Sequence, residues 1–229
     1  MIIFRYALLR GIRHPMSLLC NCLLPLVLML IRPLWSDGDT FGFALITFVA
    51  MSGAYLMSQS IITDKTDGAI TRILTAPVTM RRYLVENLFA CMVPLLVQTI
   101  LIALLGFWLY NWTLTLSFAV FLCYTILTLA SVAMAFAWHC LFKNKESSAA
   151  GFTIVLVLTA ILGGLTFPAE FFPGPLQYLG AIFPAYWAMR GIRSAAEVGY
   201  LTNDYWLAIA AMMLFATAYL LYGGKRRII

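Results

Sequence analysis

Charged residues are scarce in this sequence: Asp, Glu, Lys and Arg make up 10% of its 229 residues, against 63% apolar residues. Ordinary soluble domains carry about a quarter of their residues charged, so that class is excluded. Histidine is scarcer still. His14 and His139 are the two present, and neither has a Cys, Asp or Glu partner at metal-ligand spacing. The five cysteines, Cys20, Cys22, Cys91, Cys123 and Cys140, fall inside apolar runs and indicate neither a disulfide framework nor a metal site. A phosphate-cradling loop is also missing, because Gly223-Gly224-Lys225-Arg226 lacks both the spacing and the hydroxyl. The chain is therefore expected to be no enzyme and not to hydrolyse ATP by itself.

Long apolar runs take the place of charge. Crossing about 30 Å of hydrocarbon takes roughly 20 helical residues. Six runs qualify, at approximately 16–34, 41–62, 88–110, 114–141, 149–167 and 205–222, and none has Lys, Arg, Asp or Glu in its middle. A cleaved leader is not expected, since Arg5, Arg10 and Arg13 precede a full-length run with no small-residue cleavage site after it. With both termini cytoplasmic, twelve of the fifteen basic residues fall on the inner side, leaving Arg32, Arg190 and Arg193 outside. The net charge of +6 is then explained by anionic lipid headgroups, with no nucleic acid required. The expectation is an all-α polytopic protein of the plasma membrane, residues 1–229 forming one membrane domain.

Mid-membrane carboxylates or cations, the usual coupling groups of ion-driven carriers, are absent from these runs. Trp35, Trp108, Tyr110, Trp112 and Trp206 lie at outer run ends and read as interface anchors. Residues 168–204 are too apolar for a solvated loop. Their prolines predict two short re-entrant or interfacial helices broken around Pro184. In the second run Ser52, Tyr55 and Gln59 form a polar stripe at helical spacing, which serves equally as helix-to-helix glue or as part of a path.

The one long polar stretch of the first half spans residues 61–82. Asp64 and Asp67 precede Ile70, Ile73 and Leu74 at helical spacing, and Pro77 ends the run, so a short amphipathic helix is predicted there. Periodicity alone leaves open whether it rests on headgroups or seats in a partner. The stretch resembles the loop between spans two and three of type-2 ABC transporter permeases, the ABC-2 superfamily. The matching residues are Asp64, Gly68 with Ala69, Ile73-Leu74 and Thr75-Ala76-Pro77-Val78. It departs from the pattern at Asp64, Ala69 and Asn87, where Glu, Thr and Lys are usual. Leu165-Thr166-Phe167-Pro168, Pro175-Leu176-Gln177 and Phe183-Pro184-Ala185-Tyr186-Trp187 resemble the family's outer hairpin, and residues 5–25 its basic amphipathic approach to span one.

The resemblance implies a permease with an N-terminal interfacial helix, a coupling helix between spans two and three, and an outer re-entrant hairpin between spans five and six. A separate ATPase subunit would bind ATP and Mg, and a second permease copy would complete the unit; no cofactor is expected in this chain. Asp64, Asp67, Gly68, Arg72, Ile73, Leu74 and Pro77 are the candidate coupling residues. Ser52, Tyr55, Gln59 and Phe167 are candidates for the path, and Pro168, Pro175, Pro184 and Tyr186 for the outer hairpin. The implied cargo is amphipathic or hydrophobic, a drug, peptide, lipid or glycan, exported across a bacterial inner membrane. An ion-coupled carrier and a non-transport assembly subunit are the alternatives.

Overall fold

The computed structural model describes residues 2–13, 19–35, 41–69, 72, 79–166 and 178–225, and its regular structure there is entirely helical. Helix α1 (Ile2–Arg13) is followed by a π-helical turn, Leu19–Leu23, and by α2 (Leu24–Leu30). A 3-10 turn, Arg32–Trp35, leads to α3 (Phe41–Thr66). Then come α4 (Met80–Tyr110), α5 (Leu114–Leu141), α6 (Lys145–Leu162), α7 (Pro184–Val198) and α8 (Asn203–Lys225).

Five helices, α3, α4, α5, α6 and α8, are long and apolar enough to cross a membrane. The first of the six expected spans is not among them. Of residues 16–34, those from 19 on are described, and their unbroken helix is the π turn with the seven residues of α2. Twelve helical residues rise about 18 Å, short of the hydrocarbon thickness. Pro25 at the start of α2 and Pro33 in the 3-10 turn account for the breaks, since proline has no N–H to continue a ladder. Residues 14–18 lie outside the described set.

Helix α5 is the hub, packed against α3, α4, α7 and α8. Ala130, Val132, Ala133, Ala135 and Ala137 are buried along it. In lipid there is no hydrophobic gain in moving an apolar side chain between helices, so small residues that let backbones approach supply the packing. The residues between α4 and α5 fix that connection. Thr113 Oγ1 accepts from Leu116 N at 3.2 Å to start α5. Asn111 ends α4 at φ 50°, a left-handed conformation Asn tolerates better than most residues. Trp112 then folds back over Gly106, where an added Cβ would sit 2.0 Å from the indole ring.

Of the expected interface anchors, Trp108 and Trp206 are exposed. Trp35, Tyr110 and Trp112 instead pack on one another and on Phe43, with ring centroids 5.1–6.4 Å apart. Trp35 Nε1 donates to Leu28 O at 3.0 Å, and Tyr110 Oη to Met29 O at 2.6 Å. Tyr110 thus closes Met29 O, to which Pro33 has no N–H to give, and Trp35 adds a second donor to Leu28 O, which also accepts from Ile31 N at 3.3 Å.

Helix α7 begins at Pro184, as the proline pattern predicts, with a helical turn over residues 178–180 before it. Ile182 and Phe183 line a cavity of about 460 Å³ with Met134 and Leu141 of α5 and Tyr219 and Tyr222 of α8. The start of α7 therefore lies beside the C-terminal halves of α5 and α8. Its return is tied by Trp187 Nε1 to Ala181 O at 2.8 Å, Arg193 Nη2 to Gly164 O at 3.2 Å, and Arg190 to Asp204 at 2.8 Å. Pro184 is buried and Tyr186 half-buried, while Phe167, Pro168 and Pro175 lie outside the described residues. A Cβ on Gly191 would meet Ala208 at 3.1 Å and Cys123 Sγ at 3.8 Å, so α7 rests directly on α8 and α5. Gly191→Val is expected to cost about 1–3 kcal/mol by overpacking, read as a lower unfolding temperature of the detergent-solubilised protein.

Candidate functional site

The ends of α3 and α5 and the starts of α4 and α6 meet at one end of the bundle, which carries Arg10, Lys65, Arg72, Arg82, Lys143 and Lys145. Helix α3 runs to Thr66, past the expected limit at residue 62, so Asp64 sits in its last turn rather than at the start of a cytoplasmic helix. A carboxylate near a helix C-terminus opposes the helix dipole. Compensation comes from two other elements. Arg10 of α1 grips Asp64 with both nitrogens, Nη1 to Oδ1 at 2.6 Å and Nη2 to Oδ2 at 3.0 Å, and Tyr83 Oη of α4 donates to Oδ2 at 2.6 Å. The carboxylate in turn holds the Arg10 guanidinium above its ordinary pKa, against the cost of burial.

The other end of α1 is held the same way. Phe4 N donates to Glu86 Oε2 at 3.0 Å, and Arg82 Nε donates to Oε1 at 3.0 Å. A helix start has open N–H groups and a positive dipole end, so a carboxylate from α4 suits it. Two carboxylates on two spans thus clasp the amphipathic helix.

Lys65 takes the opposite role. Its ammonium donates to Cys140 O at 3.3 Å and Phe142 O at 2.9 Å, closing carbonyls at the end of α5. Deeper between α3, α5 and α6 lies a buried polar network. Ser58 Oγ donates to Tyr55 O at 2.7 Å and so accepts from His139 Nε2 at 2.9 Å. Nδ1 of the same ring then accepts from Ser148 Oγ at 3.0 Å, which receives Tyr55 Oη at 3.4 Å. An imidazole protonated at Nε2 satisfies every member. Tyr55 also stacks on Phe152 at 4.2 Å.

The expected polar stripe is therefore divided. Tyr55 turns into the core, Ser52 donates to Val49 O at 2.9 Å in its own helix, and Gln59 faces a cavity of about 350 Å³. That cavity lies between α1, α3 and α4, with Lys145 of α6 at its wall.

Beyond Thr66 the chain turns. Gly68 adopts φ +67°, with its N–H on Lys65 O at 3.3 Å and no atom near a would-be Cβ. Only backbone strain thus excludes a side chain there. Arg72 N reaches Gly68 O at 3.5 Å, one helical turn on, and Arg72 and Asp67 are exposed. Ile73, Leu74 and Pro77 lie outside the described residues. Among the described residues no three His, Cys, Asp or Glu side chains converge as a metal site would require. Arg10, Tyr83 and Glu86 were not singled out from sequence; the available signal was an acid at the wrong end of a long apolar helix.

A family model described as "ABC-2 family transporter protein" matches residues 38–224. The chain belongs to that family. No match is found among curated proteins. The matched residues of this ABC-2 protein take in α3 to α8 and both carboxylates of the clasp, while α1 precedes them.

Asp64→Asn is expected to loosen the Arg10 end of α1 by about 1–3 kcal/mol, the worth of a hydrogen bond to a charged group. Deuterium uptake in α1 should rise accordingly, and Tyr83→Phe should raise it less. His139→Leu should lower overall stability by about 1–3 kcal/mol because it strands the Ser148 hydroxyl. Adding Ser148→Ala should recover part of that loss, as a thermal melt would read.

Proposed function

We propose that this ABC-2 chain is the membrane-spanning permease of an ATP-driven exporter, working with a separate ABC ATPase subunit that binds ATP and Mg. The observation that carries the reading is the clasp. Asp64 lies three residues before the exposed turn that leads to the coupling segment, and it is bonded to both α1 and α4. A displacement of residues 67–78 by the ATPase pulls α1, the end of α3 and the start of α4 together. Arg72 supplies a charged rim contact to the partner, and Ile73 and Leu74 bury in it. Both termini lie in the cytoplasm and the basic end of the bundle faces inward, toward anionic lipid. Residues 16–34 complete six spans across the bacterial inner membrane.

A second permease copy completes the unit. Helices α6 and α8 keep most of their apolar surface open, with Ile154, Val157, Leu158 and Leu214 exposed. The cargo is amphipathic or hydrophobic. Gln59, at the largely apolar cavity, is the path residue this reading retains, with Ser52 and Tyr55 assigned to helix packing.

Ile73→Asp and Leu74→Asp place a charge in the docking face without touching a span. Each is expected to cut ATP-dependent transport by the permease–ATPase complex about tenfold or more, as hot-spot changes do, with normal amounts of permease in the membrane. Normal transport by both variants contradicts the coupling assignment. Transport that follows an ion gradient and ignores loss of the ATPase supports the carrier alternative.

A further inference from the structure

The cavity beneath α1 has a lining that neither packing nor the clasp explains. Its wall is apolar on three sides, from Ala7 and Leu8 of α1, Leu56 and Met57 of α3, and Ala90 and Pro94 of α4. Polar groups interrupt that wall. Gln59 and Ser60 line the cavity, and their side chains make no hydrogen bond or ion pair among the described residues. Pro94 lies inside α4 and has no N–H to give, so the carbonyl of Ala90 loses its helical donor at the cavity wall. A released carbonyl at membrane depth persists where it is buried in protein or lines a wet cavity. Two cations border the space. Arg10 is already neutralised by Asp64, whereas Lys145 has no carboxylate partner among the described residues. The chamber therefore carries one uncompensated positive charge above an apolar pocket whose volume, about 350 Å³, falls within the range of ligand sites.

We infer that this chamber binds an anionic amphipath of the inner leaflet, its acidic head on Lys145 and its apolar body against Leu56, Met57 and Pro94. The inference rests on the transporter reading for its meaning as a cargo site, though binding itself requires no ATPase. Gln59 and Ser60 hydrogen-bond the head once it has left water. The clasped helices α1, α3 and α4 form its walls, so displacing the clasp shifts those walls relative to Lys145 of α6.

The test uses the full chain in nanodiscs of phosphatidylcholine, titrated with a fluorescent phosphatidylglycerol and, separately, with its phosphatidylcholine counterpart. Saturable binding of the anionic probe, weaker by about tenfold or more in Lys145→Gln and recovered in Lys145→Arg, is expected from the loss and return of one charge-assisted hydrogen bond. Lys143→Gln removes an exposed charge two residues away and should leave binding unchanged. Leu56→Trp fills the chamber and should abolish binding of the probe, with deuterium exchange confirming a native fold. Equal binding of the two probes, or equal losses in Lys143→Gln and Lys145→Gln, overturns the inference in favour of general attraction to a basic surface. If the anionic probe binds as described while Ile73→Asp and Leu74→Asp leave transport normal, the chamber stands and the coupling assignment falls.

Discussion

In a bilayer no backbone carbonyl can fall back on water, and this fold is arranged around that constraint. Several breaks in its helices are closed by side-chain donors from neighbouring elements. Trp35 and Tyr110 serve the end of α2, and Lys65 serves the end of α5. Within continuous helices, Tyr124 Oη reaches Phe43 O at 2.8 Å and Tyr205 Oη reaches Ala119 O at 2.8 Å, while Trp187 Nε1 closes Ala181 O before α7. An unsatisfied polar group in hydrocarbon costs several kcal/mol, more than the net worth of most single contacts. The same bonds therefore set which helices are neighbours, while the small residues of α5 set how closely they approach.

At the basic end the constraint takes an ionic form. Asp64 is buried with a side chain 11% exposed, and a carboxylate there persists only with partners. Arg10 and Tyr83 supply them from two other helices, so a charge that destabilises α3 alone becomes the joint of three elements. Glu86 repeats the arrangement at the other end of α1. The proposed coupling segment follows this joint in sequence, and the chamber under α1 opens beside it. One local electrostatic arrangement thus connects the proposed ATPase contact to the proposed cargo site.

Much of this was legible in the sequence. Apolar runs identify α3, α4, α5, α6 and α8, since period and length survive any tertiary detail, and Pro184 marks the start of α7. Residues 64–72 stand out as polar, and Gly68 has the positive φ that a tight turn asks of it. Three features escaped. Pro25, Pro33 and the π turn interrupt the helix of the first apolar run, which composition alone reads as continuous. Asp64 reads as a helix start because sequence does not show α3 continuing through it. Tyr55 and Gln59 lie on one stripe by spacing, yet α6 packs beside the first and α1 beside the second, which only long-range packing determines.

The most direct measurement places spin labels at Tyr6 of α1, Val85 of α4 and Leu114 at the far end of α5, all exposed positions. Distances are read in the permease–ATPase complex, nucleotide-free and with a non-hydrolysable ATP analogue. The account predicts an unchanged distance from Tyr6 to Val85 and a shifted distance from Tyr6 to Leu114, because the clasp moves as one body against the bundle. A changed distance from Tyr6 to Val85, with Leu114 keeping its separation from Val85, would contradict it.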